Sequence, residues 1–187
     1  GYTHIDAQGK TFEPVGVQPW RAHEGDILDA VACLRAHSAL PTVMIERTLI
    51  DQAGMFDEHL ALYEDHDLWL RLARLSPALV VALPLVGIRR HDAHYSGRDE
   101  LGTCESRALF LERAWRCNVS RAARAELRRT RALNAARLAR LHAHAGERRT
   151  AWRSLRESAV SGWRYPRWWA DALRTLATAP PREHRVI

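Results

Sequence analysis

GMFDEHLALYEDHDLWLRLARL, residues 54–75, is the stretch on which the reading of the whole chain turns. A glycine turn leads into a short apolar run. Four acidic residues, Asp57, Glu58, Glu64 and Asp65, then precede an amphipathic helix that opens with a fifth, Asp67. In that helix Leu68, Leu72 and Leu75 recur at i, i+4 and i+7, with Trp69, Arg71 and Arg74 on other faces. Two explanations fit carboxylates gathered at a helix N-terminus. They interact favourably with the helix dipole and cap free N–H groups, or one of them, held in that geometry, performs acid–base or metal chemistry.

Working outward on the N-terminal side, residues 46–54 read as a short helix closed by Gly54. Residues 39–45 are apolar and β-branched, and predict a buried strand. Residues 26–34 read as another short helix, and residues 2–5 and 11–15 as extended segments around a turn at 6–10. On the C-terminal side, 78–83 and 85–90 predict one bent strand or two, ending at His91. From Leu101 the strand formers vanish. Helices are expected over 104–117, 121–145, 147–161 and 166–177, with Ser120 as an N-cap, Gly146 and Gly162 at helix ends and Pro166 in a first turn. The expected organisation is a mixed α/β region over 1–100, a helical extension over 101–178 and a disordered tail over 179–187.

With 187 residues, 47% hydrophobic and 27% charged, the chain has the composition of a folded globular protein and not of a disordered one. The longest apolar run, 78–88, is too short for a membrane span and carries Pro84 and Gly87. The first ten residues are polar, hold Lys10 and do not read as a signal peptide. A net charge of +6 and a pI near 9.9 invite a nucleic-acid reading. Yet Lys10 is the only lysine among 28 basic residues, and the arginines are spread along helices from Arg107 to Arg185. A solvated or membrane-facing helical surface is therefore expected, and no nucleic acid. Cys33, Cys104 and Cys117 form no CxxC and no even-numbered framework, and read as buried or incidental thiols of a reducing cytosol.

Taken together, residues 1–96 resemble the C-terminal half of a family 2 glycosyltransferase of the GT-A fold. YTHIDAQGK (2–10) resembles the segment after the metal-binding strand, and PTVMIER (41–47) the strand and helix start that support the acceptor side. GMFDE (54–58) with YEDHDLWLRL (63–72) resembles the "GgFDE…EDxDLWLRL" signature, the most specific of the four matches. IRRH (88–91), followed by His94 and Ser96, resembles the closing "yRxH..s.S" element. The fold this implies is α/β, a partial GT-A, Rossmann-like half, followed by the all-α helical extension.

The resemblance also implies roles. Asp65 matches the catalytic base, which takes the proton of an acceptor hydroxyl during an inverting displacement at the anomeric carbon. Glu64 matches the neighbour that positions the acceptor or its loop. His91 matches the histidine that reaches the metal or the diphosphate, with His94 a competitor three residues on. Trp69 and Arg71 match parts of the signature that pack and brace the substrate-binding side, and His66, with His59, flanks the acidic stretch and lines an acceptor cleft. A sugar hydroxyl is a poor nucleophile and needs a carboxylate within hydrogen-bond reach. The departing nucleoside diphosphate gains charge that a divalent cation, Mn2+ or Mg2+, stabilises. The implied partners are a nucleotide-sugar donor and a hydroxyl acceptor, in polysaccharide or glycoconjugate assembly at the cytoplasmic face of a membrane. Family members carry a nucleotide-binding half with an Asp-x-Asp metal motif ahead of the segment matched by residues 2–10. Activity is therefore expected of a longer parent, with this chain alone inactive or severely impaired.

The helical part offers a competing reading, a non-enzymatic interaction or membrane-surface module attached to a remnant transferase. The pattern over 133–159 resembles a single tetratricopeptide-like hairpin, but one such repeat does not stand alone. A bundle covering one edge of the α/β part is favoured. The run GWRYPRWW (162–169) sets three tryptophans among arginines. It suits either an interfacial anchor for peripheral membrane contact or a helix–helix contact.

Overall fold

The computed structural model describes residues 1–12, 23–36, 39–89 and 99–177. The chain opens with a hairpin built on Asp6, whose carboxylate accepts the backbone N–H groups of Gln8 (3.0 Å) and Lys10 (2.8 Å). Gly9 supplies the left-handed residue, at φ 86°, that this turn requires. Strands β1 (Tyr2–Ile5) and β2 (Thr11–Phe12) pair antiparallel across it, His4 opposite Phe12. On the other side β1 pairs in parallel with β3 (Val86–Arg89), Tyr2 opposite Val86, so the sheet order is β2-β1-β3. A parallel pair needs a long connection, and the described residues of this one include the helices α1 (Leu28–Ala32), α2 (Arg47–Ala53) and α3 (Glu64–Leu72). Arg89 then ties β3 back to the hairpin by donating to the carbonyls of Asp6 (2.6 Å) and Ala7 (2.7 Å).

Two expected strands are absent. Residues 39–45 form a single 3₁₀ turn at Leu40–Thr42, with Met44 98% exposed, where a buried strand was expected. Pro41 has no N–H to give a ladder, and Thr42 closes the turn by donating its hydroxyl to the Ala39 carbonyl (2.7 Å). Residues 78–83 make no strand either; Ala78 forms one isolated antiparallel bridge to Gly25. Pro77 and Pro84 bracket that segment and deny it donors at both ends. Two expected helix signals of this half are present. Gly54 ends α2 at φ 83°, and Asp26 accepts the Leu28 N–H (3.0 Å) at the start of α1. Residues 13–15 of the expected second strand, His91, His94 and the expected tail over 179–187 lie outside the described residues.

Beyond the sheet the chain is helical: α4 (Glu100–Trp115), α5 (Arg121–His144), α6 (Arg148–Gly162) and α7 (Pro166–Ala177). Asp99 caps α4 by accepting the Gly102 N–H (2.9 Å), and Ser120 caps α5 by accepting that of Ala123 (3.2 Å). The residue-100 boundary separates element types without separating cores. Val31 and Ala32 of α1, Leu68 and Leu70 of α3, Phe110 and Leu111 of α4 and Ala123 and Leu127 of α5 share one buried cluster. A second cluster joins Ala132, Ala136 and Ala139 of α5 to Leu155 of α6 and Trp168 and Ala172 of α7. At about 1.5 Å per residue, α5 is roughly 36 Å long, enough to reach from one cluster into the other. The three cysteines are free and buried, as expected. Burial pushes the Cys33 thiol up to about 11, with Glu126 adding to it.

Candidate functional site

Helix α3 starts a turn earlier than its sequence pattern suggests. Tyr63 is the N-cap, in the left-handed region at φ 63°, ψ 14°, so Glu64 and Asp65 belong to the first helical turn and do not precede it. The helix also ends at Leu72, before Leu75, which is exposed, and its buried run is Asp67, Leu68, Trp69 and Leu70. The i, i+4, i+7 leucine stripe therefore gives way to a nearly continuous buried segment, because α1 and α4 cover two sides of the helix. A left-handed tyrosine costs on the order of 1–2 kcal/mol. Ring contacts hold it in place, with centroids 5.1 Å from His66 and 5.9 Å from Phe110.

The acidic residues of the motif divide into two kinds. Asp67 is 1% exposed, although its position was read as the helix opening. Its Oδ2 accepts from Arg71 Nε (2.9 Å) and its Oδ1 from Arg113 Nη1 (2.8 Å). The other terminal nitrogen of Arg113 donates to Asp57 Oδ2 at 2.6 Å, and that bond leads the interactions holding Asp57 below the usual carboxylate range. Arg71 continues the chain of contacts by donating to the Ala53 carbonyl at the end of α2. Asp57 and Asp67 are thus braces. Their shared arginine sits on α4, 46 residues from Asp67, where no short-range sequence signal pairs it with the motif.

Asp65 is the other kind. It is a quarter exposed, and its Oδ1 accepts both the His66 backbone N–H (2.7 Å) and His66 Nδ1 (2.8 Å) in the tautomer that carries its proton there. Oδ2 has no hydrogen-bond partner among the described residues. Burial pushes this carboxyl up, but the His66 side-chain bond, the charge of a protonated His66 and backbone N–H groups of the first turn outweigh it, and Asp65 lies below its ordinary value. The His66 ring is fixed by its neighbours, 6.0 Å from the Phe110 centroid and edge-on. The arrangement is a partly exposed carboxylate with one oxygen locked by His66 and the other without a partner among the described residues, ionised at neutral pH and able to take one proton.

Of the other candidates, Glu64 is half-buried beside Asp65, and Trp69 is 7% exposed within the first core. Arg71 serves the Asp67 brace, with its second terminal nitrogen buried and unpartnered. Asp65, His66 and Glu64 are therefore brought together at the surface, whereas Trp69 and Arg71 support them from beneath. Tyr63 and Arg113 complete the site and were not anticipated. The left-handed backbone of Tyr63 has no signature in a tyrosine, and Arg113 is one arginine among many. Among the described residues no three His, Cys, Asp or Glu side chains converge where a metal ion could be held. His91 and His94, the candidates for reaching a cation that the resemblance implies, lie outside those residues. No family model, curated protein or solved structure matches the chain.

Proposed function

We propose that the chain is the acceptor-side part of an inverting glycosyltransferase of the family 2, GT-A kind, with Asp65 as its general base. The observation that carries this reading is the partly exposed Asp65 carboxylate, locked through Oδ1 by His66 and with no partner at Oδ2 among the described residues. In the reaction, Oδ2 takes the proton of an acceptor hydroxyl as its oxygen bonds to the anomeric carbon. The bond from that carbon to the nucleoside diphosphate breaks on the opposite face, and configuration inverts. A carboxylate held low in pKa is a weak base, so much of its effect comes from orientation. His66 and the Tyr63 ring supply that orientation, and the Asp57–Arg113–Asp67 brace holds the loop and helix that carry them. The division of the motif supports the reading: two of its acids are consumed in bracing, and the pair at the helix start is spared for chemistry. Leu79, Val81, Leu83 and Leu85, all more than half exposed just before β3, offer apolar surface suited to being covered by a further half of such a domain. No step is assigned to a metal.

The test uses the full-length parent protein and a panel of nucleotide sugars. Asp65→Asn should lower kcat by about 10²–10⁴-fold, the usual contribution of a general base, with donor affinity unchanged. Turnover by this variant within tenfold of the parent rate would rule Asp65 out as the base.

A further inference from the structure

The tryptophan- and arginine-rich run at the start of α7 splits its aromatic residues between two surfaces. Trp168 enters the second core, 4% exposed, and donates its Nε1 to Ser158 Oγ (2.8 Å). Trp169, Leu173 and Leu176 follow at i, i+4 and i+7 along the adjoining face of α7, exposed by 49%, 59% and 54%. On α6 Trp152, 53% exposed, lines a small cleft together with Leu176, so the stripe continues across both helices. Trp163, also 53% exposed, extends it at the turn between them, where its carbonyl accepts Trp169 Nε1 (2.7 Å).

The basic residues around this face are largely uncompensated. On α5, Arg131, Arg137 and Arg140 are neutralised by Glu112, Glu100 and Asp171, whereas Arg121, Arg124, Arg128 and Arg129 form no ion pair among the described residues. Residues 147–177 hold seven arginines against three acids, and two of those acids are engaged by His142 and Arg140. Arg148, Arg149 and Arg156, on the same side of α6 as Trp152, form no ion pair among the described residues, and Arg164 lies over the Trp163 ring at 5.1 Å. Indole rings with a collar of uncompensated arginine match the boundary of an anionic bilayer, where rings settle at headgroup depth and guanidinium groups meet phosphates. A second copy of the chain fits poorly, since a two-fold contact would set the arginine collar against itself. No described helix is long and apolar enough to cross a membrane, so the contact lies in the plane of the surface.

We propose that the α6–α7 face docks on an anionic lipid surface, with Trp152, Trp163, Trp169, Leu173 and Leu176 entering the headgroup boundary and the unpaired arginines binding lipid phosphates. This does not depend on the glycosyltransferase reading. The experiment is co-sedimentation of the full chain with vesicles of phosphatidylcholine alone, or mixed with an equal part of phosphatidylglycerol, alongside tryptophan quenching by brominated lipid. Binding to the mixed vesicles should exceed binding to the neutral ones by at least about tenfold, and 0.5 M salt should reduce it, since each basic side chain near the surface contributes. The double variant Trp169→Ser with Leu173→Ser, and separately Arg149→Glu with Arg156→Glu, should each lower it by about tenfold or more at unchanged helicity. The proposal is overturned if the chain binds neither vesicle. It is equally overturned if both variants bind as the parent does, or if light scattering shows a dimer that the first variant splits in the absence of vesicle binding.

Discussion

Asp65 and Asp67 are two residues apart on one helix and differ in almost every chemical respect. One is partly exposed and held by a histidine through a single oxygen, and the other is closed between two arginines. The acid response of the protein follows from carboxylates like these. Asp29, Asp57, Asp65 and Glu100 all lie below their ordinary values; Asp29 does so first through its bond to Ser120 and Glu100 first through its bond to Arg137. A carboxylate depressed in the folded state binds protons more readily unfolded. Its stabilisation is therefore complete above the unfolded pKa of about 4 and is lost as pH falls through the lower folded value. The melting temperature should be flat from about pH 5 to 7 and fall steeply below about pH 4. Asp29→Asn, which weakens the link from α1 to the Ser120 N–H at the start of α5, should make that fall shallower while lowering the plateau. Thermal melts from pH 3 to 7 provide the check, and an unchanged slope in the variant would remove Asp29 from the account.

At the scale of elements, the α6–α7 turn depends on Gly162. A Cβ at that position would run into the indole of Trp168, which sits over it in the second core. Gly162→Ala should cost about 1–3 kcal/mol, the usual range for overpacking a filled core. That corresponds to a fall in melting temperature of roughly 2–12 °C for a chain of this size, measurable by calorimetry. The helices of this half were legible from the sequence because their caps and ends are local: Ser120, Gly146 and Pro166 each act within a turn of their own position. The strands were less so. A β-branched run such as 39–45 predicts extension, and the missing N–H of one proline was enough to divert it into a 3₁₀ turn. The start of α3 was missed for another reason. Tyr63 adopts a left-handed cap because His66 and Phe110 pack on its ring, and Phe110 is 47 residues distant. The acidic cluster was visible in the motif; which of its members are braces could be seen only once α4 was in place.

For the molecule as a whole, the Asp57–Arg113–Asp67 cluster is a charged joint between the α/β region and the helices, beside the core they share. Asp67→Asn would leave Arg71 and Arg113 facing a neutral amide in a buried setting. Breaking a buried pair in this way costs about 3–5 kcal/mol, reduced here because Arg113 is two-fifths exposed, so about 3 kcal/mol is expected. Calorimetry should register a drop of roughly 6–12 °C; a drop within 2 °C would show that the cluster is not the joint. The same cluster bears on how such a chain can be inherited. Composition changes near residue 100, which makes the helices look like a cassette that recombination could exchange between genes. Both carboxylates served by Arg113 lie upstream of that point and the guanidinium lies downstream. A crossover there would pass on the acidic motif without its counter-ion unless the incoming segment happened to carry a basic side chain at the same turn of its first helix. The two halves are therefore constrained to descend together.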